Sequence, residues 1–265
     1  MYKMLVLDLD GTLLNSESHI SPENIRALDF ARDQGLRIVI ATGRPPVGTL
    51  PYRISLGNHL DDPFITYNGA LVQIPRTGEN LIRHTIMVAD YLTIADYAEK
   101  YSLLHYCFDE KSCLTASMHP VAIWEGEINQ IPVRLVDFSQ LDPATPLSKA
   151  MISGEPADLD RAEADLPVSL TERYVIVRSS PRLLEFLHPL ASKGQAVAEL
   201  AAMLGIQQDE VICVGDAGND EDMIRYAGLG VAMGNATAAV KAVADFVTTS
   251  NDQNGVAEVV RRFVI

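Results

Sequence analysis

Positive charge is scarce in this chain. Its 265 residues hold 21 Lys and Arg against 35 Asp and Glu, a formal net charge of −14. Nucleic acids and anionic membrane surfaces are gripped by clustered cations, so neither is expected as a partner. Cysteine is also rare. Cys107, Cys113 and Cys213 form an odd, widely spaced set without a CxxC pair, which excludes a disulfide framework or zinc-finger site and suits a reducing compartment. No segment reaches the roughly 18 apolar residues that span a bilayer, and the short apolar run before Asp8 is no signal-peptide core. Repeats and low-complexity tracts are missing as well. The expectation is a cytoplasmic protein, monomeric or a weak homodimer, acting on a small molecule. An anionic substrate would have to be met by a local positive site.

With 48% apolar residues, the chain can bury a sizeable core in one large or two modest domains. "MLVLDL", "LRIVIA" and "PFITYNG" read as buried parallel strands, the last ending in an Asn-Gly turn. Between the first two lies a helix with Ser21 as cap, Pro22 just inside and Gly35 as stop. Strand-helix alternation of this kind predicts a parallel sheet with helices on both faces. Residues 83–188 read differently. Short strands ("LHYCF", "VRLVDF", "AMISG", "RYVIV", "LLEFL") mix with helical patterns at 90–101, 119–129 and 157–165, which predicts an antiparallel α+β module. From 189 the first pattern resumes, in "SKGQAVAELAAML", "EVICVGDAGND" and "NGVAEVVRRFV". The predicted architecture is one α/β core, residues 1–82 and 189–265, interrupted by an inserted module, 83–188. Ligands of open α/β sheets bind beyond the carboxyl ends of the strands, so those ends hold the candidate site.

Asp8 and Asp10 sit two apart at the first such end, where strand periodicity points both the same way. Gly11 allows a tight turn, and Thr12 can hydrogen-bond locally. A calcium EF-hand loop is excluded, because its sixth position would be Leu13 and its twelfth His19. A polar strand terminus remains the alternative for the pair alone. Thr42, Gly43 and Arg44 follow the second strand, where a hydroxyl and a backbone N–H suit phosphate oxygens; an ordinary turn would look the same. Lys193 lies in a first helical turn, disfavoured for a cation unless an anion holds it there. Asp216, Asn219 and Asp220 crowd one turn after the buried "VICV", and would repel one another without a cation. His84, His105, His119 and His188 show no ligand spacing.

In order and spacing, "DLDGTLLN", "ATGR", "TYNGA", "SKG", "GDAGND", "GVAMGNA" and "SNDQNGVA" resemble the haloacid dehalogenase superfamily, and within it the Cof-type phosphatases with a large α/β cap. The resemblance spans the whole chain; "PLASKG" departs from it by Ala191, where a glycine is common. It implies a Rossmann-like, doubly wound core with an inserted α+β cap that sets specificity. The implied activity is Mg²⁺-dependent hydrolysis of small phosphomonoesters, sugar phosphates foremost, through an aspartyl-phosphate. By the same resemblance Asp8 is the nucleophile and Asp10 the acid/base. Mg²⁺ lies on Asp8, the Asp10 carbonyl and Asp216. Thr42, Gly43, Arg44 and Asn219 serve the phosphoryl group, and Lys193 is steadied by Asp220; Asn68 and Gly69 lie near the site or form a plain turn, and Arg44 has the alternative of pairing an acid. A phosphomutase or phosphotransferase of the same superfamily is the alternative, and a ligand sensor a more distant one. Met233, Gly234 and Asn235 are expected to shape a loop.

Overall fold

The computed structural model describes residues 1–57, 59 and 61–264. Two compact units emerge. The first comprises Met1–Gly43, Thr49–Arg83 and Ser192–Ile265, and the second Arg44–Gly48 and His84–Ala191.

The first unit opens with β1 (Met4–Asp8), α1 (Pro22–Asp33), β2 (Arg37–Ala41), α2 (Leu50–Ser55), β3 (Phe64–Thr66), β4 (Leu71–Ile74) and β5 (Glu79–Arg83). The second contributes β6 (Ile86–Met87), α3 (Val88–Lys100), β7 (Leu104–Phe108), β8 (Cys113–Thr115), α4 (Pro120–Asn129), β9 (Val133–Leu135) and β10 (Pro146–Leu147). It continues with β11 (Lys149–Ser153), α5 (Pro156–Ala164), α6 (Val168–Thr171), β12 (Val175–Ser180) and β13 (Leu183–Leu187). The chain returns to the first unit with α7 (Lys193–Met203), β14 (Val211–Gly215), α8 (Glu221–Tyr226), β15 (Leu229–Ala232), α9 (Ala238–Val243), β16 (Phe246–Val247) and α10 (Gly255–Phe263).

The first unit is an eight-stranded sheet in the order β16-β15-β14-β1-β2-β3-β4-β5. Parallel pairing runs from β16 to β3. Period-two alternation sends Leu5 and Leu7 to one face, against Leu28 of α1 and Val256 and Val260 of α10. Met4 and Val6 go to the other, against Ala196, Val197 and Leu200 of α7. Each fully buried Leu or Val here contributes about 1.5–3 kcal/mol of transfer free energy. Both helix starts behave as their caps require: Ser21 Oγ accepts from the Asn24 N–H at 3.1 Å, and Ser192 Oγ from that of Gln195 at 3.1 Å. The doubly wound α/β class expected from the motifs is what the chain forms. Beyond "PFITYNG" the sheet continues, however, with two antiparallel strands, β4 and β5. A turn at 75–78 folds them together; its weak, Pro-containing pattern carried no strand signal.

The second unit holds a sheet in the order β12-β13-β11-β7-β8-β9 and a separate β10-β6 pair. It is antiparallel apart from β8 with β9. "VRLVDF" is a strand only as far as Leu135. Asp137 then accepts from the Ser139 N–H at 3.1 Å and bends the chain into a short turn. Cys107, Ala150, Ile152, Leu184 and Phe186 cover one face of the sheet and pack with Tyr91, Ile94 and Ala98 of α3 and Leu159 of α5. Tyr106 pairs with Met151, which also pairs with Glu185, placing all three on the opposite face. Polar groups gather there. Tyr106 donates to Glu125 Oε1 at 2.9 Å, Asn129 Nδ2 to Glu125 Oε2 at 2.8 Å, and Lys149 Nζ to Glu185 Oε2 at 2.9 Å. His119, without ligand spacing in the sequence, caps α4 by accepting from the Ala122 N–H at 3.1 Å.

Candidate active site

β1 is buried along its whole length, so Asp8 at its end enters the site from a rigid, dry element. Lys193, the first residue of α7, is 1% exposed and lies between two carboxylates. Its Nζ donates to Asp8 Oδ1 at 2.6 Å and to Asp220 Oδ1 at 2.6 Å. Asp220 spends its other oxygen on the backbone N–H groups of Asp216 and Ala217, at 2.9 and 3.0 Å. Burial by itself would lower the Lys193 pKa; attraction to Asp220 and Asp8 outweighs it and raises the pKa, so the ammonium is held charged. Its awkward place at a helix N-terminus is thus compensated by two anions.

One ammonium does not neutralise this region. Oxygens of Asp8, Asp216 and Asp220 all lie within 4.8 Å of one another, the one group among the described residues able to hold a metal ion. Asp8 is pushed well above the usual carboxylate range, by burial first and then by Asp220. Burial, again with Asp220, raises Asp216 to about 6. Three hard oxygen donors carrying more negative charge than the lysine offsets fit a divalent cation. Asp220 is occupied by Lys193 and two amides, which leaves Asp8 and Asp216 as the better ligands. Asp10 is exposed and adds no side chain to the group; its expected contribution is its main-chain carbonyl.

The loop after β1 is fitted to Asp216. Thr12 Oγ1 donates to Asp216 Oδ1 at 3.1 Å, and Gly11, at φ +81°, lies so close that a Cβ there would stand 2.5 Å from Asp216 Oδ2. Only glycine combines that backbone with that approach. Two C-terminal loops tie the same segment down, a function the sequence did not disclose. Asn235 Nδ2 donates to the Gly11 carbonyl at 2.8 Å, Asn251 Nδ2 to that of Leu14 at 2.8 Å, and Ser16 Oγ to Asp252 Oδ2 at 2.6 Å. The partners lie more than 220 positions apart, beyond any local pattern. The expectation that Asn235 shapes a loop is met through these bonds.

Thr42 is 1% exposed, with its N–H on the Ile65 carbonyl at 2.9 Å, and Gly43 follows it in the first unit. Arg44, half-buried, groups with the second unit. Asn219 lies in the turn before α8 and donates through Nδ2 to Asn68 Oδ1 at 3.0 Å. The segment Tyr67–Gly69 has three successive positive φ angles, 50°, 53° and 95°. Gly69 rests on the Ser192 carbonyl, the cap of α7, and a Cβ would overlap it. Gly69→Ala is expected to cost about 2–4 kcal/mol in urea unfolding, because strain and collision add. A cost under about 1 kcal/mol would show that the α7 start can retreat.

A family model described as haloacid dehalogenase-like hydrolase matches residues 5–260. The chain belongs to the haloacid dehalogenase-like hydrolases. The Bacillus subtilis protein YxeH is 37% identical over 269 residues, covering 100% of this chain and 99% of the relative. Among solved structures, a haloacid dehalogenase-like hydrolase from Bacteroides thetaiotaomicron superposes with a TM-score of 0.87 at 34% identity, covering 99% of each chain. The subclass IIB sugar phosphatase BT4131 does so with a TM-score of 0.80 at 28% identity, covering 98% of each. The family, the fold and the enzyme class expected from the motifs, a phosphatase of this superfamily, stand.

Proposed function

We propose that this haloacid dehalogenase-like hydrolase cleaves small phosphomonoesters, sugar phosphates foremost, with Mg²⁺ as its cofactor. The buried Asp8–Lys193–Asp220 chain beside Asp216 carries the reading: a lysine steadies one oxygen of a carboxylate at the rim of the sheet, and further acids stand ready for a cation. In the first step a carboxylate oxygen of Asp8 attacks phosphorus, the bond to the ester oxygen breaks, and Asp10 protonates the departing alkoxide. In the second, Asp10 takes a proton from water, the water oxygen attacks phosphorus, and the phosphoryl group leaves Asp8 as inorganic phosphate. Lys193, Thr42 and the Gly43 N–H offset charge on the phosphoryl oxygens, Arg44 adds a guanidinium, and Asn219 orients the group. Asp8, the Asp10 carbonyl and Asp216 would hold Mg²⁺, which when bound lowers the repulsion between a carboxylate and a phosphate dianion. The sugar phosphatase among the structural neighbours supports the substrate class.

Incubating the purified protein with a panel of metabolite phosphoesters should release inorganic phosphate. A product in which the phosphoryl group has moved to another hydroxyl, without free phosphate, would make the protein a mutase instead. EDTA is expected to abolish release and Mg²⁺ to restore it; undiminished activity after EDTA would remove the metal from the reading. Because Asp216 is raised to about 6 before any cation binds, protons compete with the metal below that pH. Mg²⁺ affinity, followed by calorimetry, is therefore expected to weaken as the pH falls through about 6, with protonation of the raised Asp8 acting in the same direction. A pH-independent affinity would remove Asp216 from the ligand set.

A further inference from the structure

Asn68, which the resemblance leaves between a near-site residue and a plain turn, has no role in the mechanism above, yet its surroundings are those of a ligand. It occupies the left-handed region at φ 53°, ψ 36°, immediately after Tyr67 at φ 50°. A tyrosine held there is strained, and such strain persists only where neighbouring structure enforces it. Here the Asn68 N–H donates to the Thr42 carbonyl at 3.0 Å, and Gly69 is pressed against the start of α7. The strained turn thus fixes Asn68 beside the Thr42–Gly43 segment. Its carboxamide lies over Gly43, where a Cβ would stand 3.1 Å from Oδ1 and 3.2 Å from Nδ2.

The Asn68 amide faces that of Asn219. Asn68 Oδ1 accepts from Asn219 Nδ2 at 3.0 Å, so both Asn68 N–H bonds are presented on its other side. Asn68 is 6% exposed, and among the described residues none accepts from its Nδ2. A residue more than nine-tenths buried, whose amide N–H groups no described residue takes up and whose side chain lies against Gly43 of the Thr42–Gly43 segment, matches an acceptor-only ligand. A terminal phosphoryl oxygen is such a ligand, and a neutral donor meets it without adding charge to a site already crowded with ions.

We infer that Asn68 is a further phosphoryl-binding residue, and that Asn219 serves partly as a positioning residue that sets the Asn68 amide; the inference rests on the phosphatase reading above. Asn68→Asp keeps the acceptor for Asn219 and tolerates the left-handed backbone, but it exchanges the donors for a carboxylate. Asn68→Gly keeps the backbone and deletes the amide. The test is kcat, KM and competitive inhibition by inorganic phosphate, on the full chain with Mg²⁺. Asn68→Asp is expected to lose about 10²-fold or more in kcat/KM and to escape phosphate inhibition, with Asn68→Gly about tenfold down. A purely structural role predicts the reverse order, since the aspartate is the closer mimic. An Asn68→Asp enzyme within about threefold of wild type in both quantities would overturn the inference.

If that variant fails to fold, the wild-type protein still decides. The side-chain amide resonance of Asn68 should shift on titration with inorganic phosphate, and an unmoved resonance overturns the assignment. Failure of the phosphatase reading looks different: no ester then releases phosphate, whatever residue 68 is.

Discussion

Asp8→Asn is expected to lower phosphate release by at least about 10⁴-fold, the scale on which loss of a nucleophile falls in covalent enzymes. The amide is isosteric, so circular dichroism and thermal unfolding should stay near wild type. Lys193 keeps Asp220 as its partner at 2.6 Å, and β1 loses no buried apolar surface. Acid-quenched wild-type enzyme should carry one phosphoryl group on Asp8, and the variant none. Asp10→Asn should also block turnover but leave Asp8 able to attack, so that a slow, activated ester still phosphorylates the protein. Activity of Asp8→Asn within about tenfold of wild type would end the covalent mechanism, whatever the metal does.

Lys193→Met is the second large effect, and it strikes stability and catalysis together. The side chain is 1% exposed and holds two acids, so its removal leaves buried negative charge without a counterion. Breaking such a pair from one side costs about 3–5 kcal/mol. The sign with pH follows from Asp8, which burial and Asp220 already hold well above the usual carboxylate range. A carboxyl raised in the folded state stabilises the fold while it is protonated, and that stability is lost as pH rises through its folded pKa. The variant should therefore be most stable in acid and unfold more readily towards neutrality in urea titrations. Turnover should fall by about 10²–10³-fold or more, as when a charge-stabilising donor is deleted. A Lys193→Met protein as stable at neutral pH as wild type would mean that Asp8 and Asp220 are not charged together. Lys193→Arg tests the same point more gently, since it keeps the charge but not the compact ammonium.

Much of the core was readable because its signals are local. Apolar runs ending in acids mark β1 and β14, and Ser192 before Lys193 marks the start of α7. Those cues also predicted which strand ends would carry Asp8, Thr42 and Asp216. Residues whose significance lies in distant partners were silent. Asn235 and Asn251 look like ordinary loop asparagines until they are found on the carbonyls of Gly11 and Leu14. Asn68 could be read as a near-site residue or as half of a simple turn, and its bond to Asn219, which spans 151 positions, had no trace in the sequence. Lys149 and Glu185 break otherwise apolar strands; their pairing across 36 positions becomes visible only once β11 and β13 lie side by side. Period and propensity report on neighbours in the chain, and these contacts are made by topology.

The placing of β1 between β2 and β14 has a consequence for how the protein comes into being. Asp8 is synthesised 185 positions ahead of Lys193. The strand that closes its other edge begins at Val211. Until then this buried, apolar strand has an open edge and no counterion for its acid. The intervening stretch His84–Ala191 is by contrast nearly contiguous and can collapse early on its own short loops. Folding should thus complete the His84–Ala191 unit before the sheet that β1 joins, with chaperones needed most for β1. Chains cut short before about Val211 should aggregate through β1 rather than accumulate as a soluble half-enzyme.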